Sequence, residues 1–367
     1  MTVLVTGLGQ RALNRALLAR NLLLQRSTRP VTETVEHLVG LQAQEPQEPY
    51  VGLFARLADF DPAGPSRLLE QRVLVRTLLM RRTMHLVSAR DCLALRALHQ
   101  PMLAQRARSV LRSRLVGVDE AELAAAGYPL FDAEPRLLTE AGRAVQERWP
   151  GVAPRDLGDA LSSLVPLVQV PPRGLWRQTG PARNTTIPRW LGRELAPAPE
   201  PDELVLRYLA AFGPAAGADI RAWSGLSGLR PAVDRLRPHL RAFRDERGRL
   251  LLDLPDAPRP DPDTPAPPRF LPAFDNAVLG YADRSRIIDA QDRGLSVTGA
   301  RFLLVDGRVR ATWTVRTEDG AAELQISALG GFRPGRHADE VAEEGLRLLA
   351  LLAPDRPDHR VTWSPTD

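Results

Sequence analysis

Gly40-Leu41-Gln42-Ala43-Gln44-Glu45-Pro46 runs directly into Gln47-Glu48-Pro49-Tyr50. Two amphipathic segments flank it, His37-Leu38-Val39 before and Val51-Gly52-Leu53-Phe54 after. Residues at i and i+2 lie about 200° apart on a helix but share a face of extended backbone. Pro46 pushes Glu45 out of the helical region. Gln42 and Gln44 are therefore expected where a helix unwinds, with both amides able to converge on one point. Alone, a Gln-x-Gln has almost no motif specificity, because glutamine is a common polar residue. Its weight comes from what surrounds it.

Outward from this stretch, the chain reads as short helices followed by a hairpin. Residues 11–26 carry Leu13, Leu17, Leu18 and Leu22 at helical spacing. Helices at 31–41, 49–57 and around 66–71 follow, then strands at 73–79 and 83–87 joined through Met80-Arg81-Arg82. Helices closed by a two-stranded ribbon are the outline of a winged helix. The outline recurs in helices beginning at Asp119, Glu134 and Pro154, a strand at 164–170, a Pro171-Pro172-Arg173-Gly174 turn and Leu175-Trp176. A third copy has helices at 202–212, 218–224 and 229–240, and a ribbon around Glu246-Arg247-Gly248.

The expected class is α+β: tandem winged-helix (helix-turn-helix plus β-hairpin) units with a C-terminal β-rich region. The expected units are 1–115, carrying the Gln-x-Gln motif, 116–200 and 201–254. A Pro/Asp-rich linker at 255–269 leads to a β-rich region with a closing helix at 270–367. In that last region, strands at 295–304, 308–315 and 322–328 flank Asp306-Gly307 and Asp319-Gly320, both hairpin signals. A helix at 339–353 and a strand at 361–363 end the pattern.

Composition narrows the class. The formal charge is +5, and every cation other than the histidines is arginine. GC-rich coding explains much of that bias, but arginine is also the side chain suited to bidentate phosphate contact. The longest apolar runs, such as 346–353, cannot span a membrane, and no signal peptide is evident. The expected compartment is the cytoplasm. The single Cys92 precludes an intramolecular disulfide. The six histidines lack metal-ligand spacing, so no metal site is expected. The start, Val3-Leu4-Val5-Thr6-Gly7-Leu8-Gly9-Gln10-Arg11-Ala12, has the outline of a dinucleotide-binding turn. It lacks the second strand ending in an acidic residue, because residues 30–36 read as a helix start, so nicotinamide binding is not expected.

Five blocks together carry a resemblance. They are GLQAQEPQEPYVGLFARL (40–57), RRTMHLVSARD (81–91), PPRGLW (171–176), FGPAAGADIRAWSGL (212–226) and FLPAFDNAVLGYADRSRI (270–287). In order and across most of the chain, they resemble the AlkZ-like family of winged-helix DNA glycosylases, some of which are antibiotic self-resistance enzymes. The resemblance implies that Gln42 and Gln44 are the catalytic pair, in the Gln-x-Gln form. It also implies that Asp275 and Asn276, in the FDN block, shape the site.

The chemistry is consistent with such a pair. Glutamine is neither acid, base nor nucleophile at neutral pH, so it suits only a leaving group that is already activated. A purine alkylated at N7 or N3 carries positive charge and departs without a proton from the protein. What remains is to position a water and match an oxocarbenium-like transition state. No cofactor is needed beyond water. The expected partner is duplex DNA containing alkylated purines, bound by a monomer with no membrane contact.

Other candidates have equally bland readings. Arg81 and Arg82 at one wing tip, and Arg173 at the next, are candidates for phosphate contact. His85 and Trp176 are candidates for the site or for the core. Asp283 and Arg284 are expected to form a structural ion pair, and the 306–307 hairpin is the candidate DNA-probing element. The rival class is a non-catalytic winged-helix transcription regulator reading base edges through residues 229–240. An interaction scaffold has only the Pro-rich stretch in its favour.

Overall fold

Two backbone positions end the helix before the glutamines. Val39 (φ 56°) and Gly40 (φ 95°) are left-handed, and a Cβ on Gly40 would stand 2.7 Å from Val87 Cγ1. The chain can only leave as extended backbone there, as the Gln-x-Gln spacing requires. In the computed structural model, which describes residues 6–197, 200–318 and 320–364, this turn joins α2 (Val31–His37) to β2 (Leu41–Gln42).

Ahead of it lie β1 (Thr6–Leu8) and α1 (Gln10–Arg20). After it come α3 (Glu48–Phe54), α4 (Ala63–Glu70) and the hairpin of β3 (Leu74–Leu78) and β4 (Met84–Ser88). Ser88 caps α5 (Ala89–Leu111), its hydroxyl accepting from Asp91 N at 3.2 Å. α5 runs for 23 residues and buries Cys92 in its first turns. The second stretch has α6 (Glu120–Ala133), α7 (Leu138–Val145), α8 (Pro154–Leu164), β5 (Leu167–Gln169), β6 (Asn184–Thr186) and α9 (Ile187–Leu191). The third has α10 (Asp202–Phe212), α11 (Gly217–Ser224), α12 (Arg230–Leu236), β7 (Arg241–Asp245) and β8 (Leu250–Asp253). Three runs of helices thus each precede strands, as expected.

The hairpins are not independent. β2, β4, β3, β5 and β6 form one five-stranded sheet in that order, so the first and second stretches share a sheet through Arg76↔Gln169 and Thr77↔Val168. The partner of β5 is β6, not Leu175-Trp176 as the sequence reading expected. Residues 171–183 form a loop, because the Pro171–Pro172 and Arg173-Gly174 run offers too few amide donors for a ladder. β1 adds in parallel to β7, tying the chain start to the third stretch.

The C-terminal region has β9 (Arg269–Leu271), α13 (Asn276–Leu279), β10 (Phe302–Val305), β11 (Arg308–Glu318), β12 (Ala321–Ala328), α14 (Ala338–Leu352) and β13 (Asp358–Trp363). Its sheet order is β13-β12-β11-β10-β9. The strand expected at 295–304 is confined to β10, and residues 290–296 are 3-10 turns. Of the second Asp-Gly signal, Asp319 lies outside the described residues, as do Val3, Leu4 and Val5 of the dinucleotide-like start.

The 255–269 segment is strapped to α1 rather than loose. Arg15 Nε donates to Thr264 O at 2.6 Å and Arg20 Nε to Pro258 O at 3.1 Å. The largest core draws Leu17, Val87, Tyr208, Phe212, Trp223 and Tyr281 from the first stretch, the third and the C-terminal region, and Val168 and Ile187 from the second. The second stretch keeps its own core around Phe131, Leu157 and Leu161. The molecule therefore consists of a fused body with the second helical stretch joined at its side by a shared sheet. Gln42 ends the edge strand of that sheet, and Gln44 lies just beyond it.

Candidate active site

β4 and Arg76 hold the Gln-x-Gln stretch. Gln42 pairs with His85 across β2 and β4. Ala43 N donates to Met84 O at 2.7 Å, and its carbonyl accepts from Arg76 Nη2 at 2.8 Å. Gln44 Oε1 accepts from Met84 N at 3.3 Å, so a side-chain amide continues the ladder where Glu45 and Pro46 leave it. Ala43 between them is fully buried, Gln42 is buried and Gln44 is exposed.

The two amides nevertheless have separate surroundings. Gln42 is only 9 % exposed and lines a void of ≈ 10 Å³ beside Asp275 and Asn276. Gln44 is exposed and lines a cleft of ≈ 500 Å³ between the β3–β4 hairpin and α7 and α8. Arg82, Met84, Leu138, Asp159 and Gln169 share that cleft. The two spaces have no lining residue in common.

The turn between β3 and β4 is not a free wing tip. Arg81 (φ 56°) and Arg82 (φ 60°) are consecutive left-handed residues, a conformation that costs about 1–2 kcal/mol per residue. Their side chains reach opposite ways and hold it. Arg81 Nη2 donates to Gln42 Oε1 at 2.8 Å and Asn276 Oδ1 at 3.0 Å, while Nη1 donates to Trp223 O at 2.5 Å. Burial lowers the Arg81 pKa to about 10, and the nearby charge of Arg284 adds to the shift. Arg82 turns to α8, donating to Asp159 Oδ1 at 2.7 Å and Ser163 Oγ at 3.0 Å. Both arginines expected at phosphate are thus bonded to other residues of the protein.

Behind Gln42, Asp275 accepts from Arg56 through both carboxylate oxygens at 2.8 and 2.9 Å, and also caps α13 through Ala277 N at 2.8 Å. This pair aims Asn276 at Arg81. Asn276 Nδ2 is buried and has no acceptor among the described residues. His85 is buried, and its Nδ1 lies 2.9 Å from Thr83 O. Burial, helped by the charge of Arg81, pushes its pKa down to about 3. The neutral ring therefore carries its proton on Nδ1. His85 supports the glutamine strand from inside.

The remaining candidates lie elsewhere. Arg173 is half-buried and donates to Gly180 O at 3.2 Å within its own loop. Trp176 packs on Tyr50, ring centroids 4.8 Å apart, and its N donates to Ser66 Oγ at 2.9 Å. Asp283 pairs not with Arg284 but with Arg249 at 2.9 Å and Arg247 at 3.4 Å, because the β7–β8 hairpin presents those arginines to it. Arg284 bonds Ser296 Oγ at 2.6 Å instead. The 306–307 turn is tied to α1: Asp306 bonds Arg11 at 2.6 Å and also Arg15, and Gly307 O accepts from Asn14 at 2.7 Å. At the dinucleotide-like start, Glu246 accepts from Gln10 N at 3.2 Å, so a carboxylate occupies the helix N-terminus where a pyrophosphate would lie.

Sequence reasoning missed Arg56, Arg76 and Asp159. An arginine inside Leu53-Phe54-Ala55-Arg56-Leu57 was the available signal, since a cation in an apolar helix needs a buried partner.

The comparisons with known proteins agree with this architecture. Superposed on the solved structure of Streptomyces sahachiroi DNA glycosylase AlkZ, the fold matches with a TM-score of 0.77 at 20% identity, over 97% of this chain and 100% of that one. None of the curated proteins compared gives a match. The family model described as "DNA glycosylase AlkZ-like" matches residues 35–351, from the helix before the glutamines to the end of α14. The chain belongs to the AlkZ-like DNA glycosylase family.

Proposed function

We propose that this glycosylase hydrolyses the N-glycosidic bond of bulky or crosslinking N7-alkylguanine, or N3-alkyladenine, in duplex DNA, with Gln42 and Gln44 at the reacting sugar. The observation that carries the reading is the position of Gln44. It stands exposed just past the end of an edge strand, beside a cleft of ≈ 500 Å³, a size that takes ligands of drug-like bulk, about 300–1,000 Å³. A small methyl lesion needs no such space.

In the reaction, the C1′–N9 bond (for guanine) breaks with its electron pair moving to the cationic base, which leaves neutral. Water adds to C1′ and loses a proton to solvent, leaving an abasic site. The protein supplies placement and dipoles rather than a proton. The enzyme is monofunctional and works as a monomer on DNA in the cytoplasm, in base excision repair and in self-resistance to a genotoxic natural product.

Base release from duplexes carrying N7-methylguanine or a bulky N7-guanine adduct tests this. The wild type releases base, and Gln42→Ala/Gln44→Ala loses at least about a hundredfold in single-turnover rate while still binding DNA. Equal release by the double variant would move the active site elsewhere. No release from any lesion, with tight sequence-selective binding to undamaged DNA, would favour a regulator.

A further inference from the structure

Arginine only donates, so the atom of Gln42 that meets Arg81 Nη2 is the amide oxygen, and its Nε2 faces away. Asn276 is oriented by the same rule. Among the described residues Gln42 Nε2 meets no acceptor, and Gln42 keeps 9 % exposure. Gln42 is thus a donor held by one bond and free at its other end.

The charge behind it has no answer among its bonded partners. Arg81 donates to two amides and one backbone carbonyl, all neutral. The neighbouring Arg284 donates to the Tyr281 carbonyl and the Ser296 hydroxyl. Even a partly buried cation is costly without an anion. An amide whose oxygen accepts from a guanidinium is polarised, which strengthens the bond its N–H makes. Such a donor bonds best to a charged oxygen. Gln44 differs: it is exposed, and its Oε1 is held only by a long 3.3 Å bond that is readily exchanged.

Building on the glycosylase reading above, we infer that Arg81 is a positioning residue that fixes Gln42 as a hydrogen-bond donor to a phosphodiester oxygen of the lesion-bearing strand. Gln44 is then the amide that serves the attacking water. The pair divides into an anchor and a water-positioning group.

The test uses two readouts. Binding is measured on a duplex with a tetrahydrofuran abasic site, which needs no cleavage; chemistry is single-turnover release from an N7-methylguanine duplex. Gln42→Glu keeps the shape and pairs with Arg81, but turns an acceptor towards the phosphate. It should weaken binding at least about tenfold. Arg81→Met should weaken binding as Gln42→Ala does, and Gln42→Ala/Arg81→Met should weaken it no further. Gln44→Ala should keep affinity within about twofold and lose release. Wild-type affinity in Gln42→Glu, or additive losses in the double variant, overturns the assignment. If Arg81→Met does not fold, Gln42→Glu and Gln42→Ala decide alone. A wild type that binds and releases base while Gln42→Glu is unaffected sinks only this inference. A wild type that binds neither duplex sinks the glycosylase reading with it. A wild type that binds but releases nothing leaves the binding comparison to decide the anchor.

Discussion

Gln42 and Gln44 are two residues apart, yet the molecule treats their surroundings as opposites. Around Gln42 the contacts converge from the first stretch, the third and the C-terminal region: Arg81, Trp223, Asn276 and, behind them, the Arg56–Asp275 pair. Around Gln44 there is a cleft whose far wall belongs to the separately cored second stretch. The bridge across that side is the partly exposed Arg82–Asp159 pair. One amide is held rigidly by a fused body, and the other faces a joint. On the proposed role, a neutral pair of amides needs placement above all, and here placement is concentrated at one of its two members.

The largest expected effect removes the support of the rigid side. Asp275→Ala leaves Arg56 buried without its carboxylate and α13 without its cap. Breaking a buried pair in this way costs about 3–5 kcal/mol. Thermal or denaturant unfolding should show a loss of this size; a loss below about 1 kcal/mol would mean the Gln42 side is no firmer than the Gln44 side.

Acid provides the next separation. Burial holds His85 at about 3 and His99 at about 4, and both lie near Arg81. Because these values are below the ordinary value of about 6.5, the unfolded chain takes up protons that the folded chain refuses. Their contribution is complete above about pH 6.5 and is lost as pH falls towards the folded values, by up to about 1.4 kcal/mol per pH unit for each ring. Unfolding free energies between pH 7 and 5 should fall with this slope, and the slope should be shallower in His85→Asn. An unchanged slope in that variant would show that His85 titrates normally and that the strand behind Gln42 is open to water.

Much of this was legible in the sequence, and the rest was hidden for identifiable reasons. The extended Gln-x-Gln followed from spacing and Pro46, and the helices and the β3–β4 and β7–β8 hairpins followed from apolar periodicity. The partners of Arg81 and Arg82 did not. A turn of two arginines between strands reads as a solvated tip, and nothing local says that it meets Trp223 on one side and Asp159 on the other. The same limit applies to β5, whose partner β6 lies beyond a loop clamped to α3, with Gln47 Nε2 donating to Leu175 O at 3.0 Å. Likewise Asp306-Gly307 signals a hairpin correctly, but its bonding to Arg11 and Arg15 is a tertiary fact. Local chemistry predicts elements; long-range pairing decides which of their tips remain free.

The smallest expected effect concerns the joint itself. Asp159 keeps 43% side-chain exposure and Arg82 17%, so solvent screens much of their attraction. Arg82→Ala should therefore cost only about 0.5–1 kcal/mol in global unfolding. Its consequence for the cleft is larger than its consequence for stability, because Arg82 also donates to Ser163 and spans from the β3–β4 turn to α8. Hydrogen exchange should rise in α7 and α8, while β2 and α13, held by Arg56, Asp275 and Arg81, keep their protection. Faster exchange on both sides would mean the two stretches open together, and that Gln44 faces a wall as rigid as the one behind Gln42. Faster exchange on the second stretch alone would leave Gln42 fixed while the space beside Gln44 adjusts, the arrangement an enzyme needs to hold one sugar in place and admit adducts of different bulk.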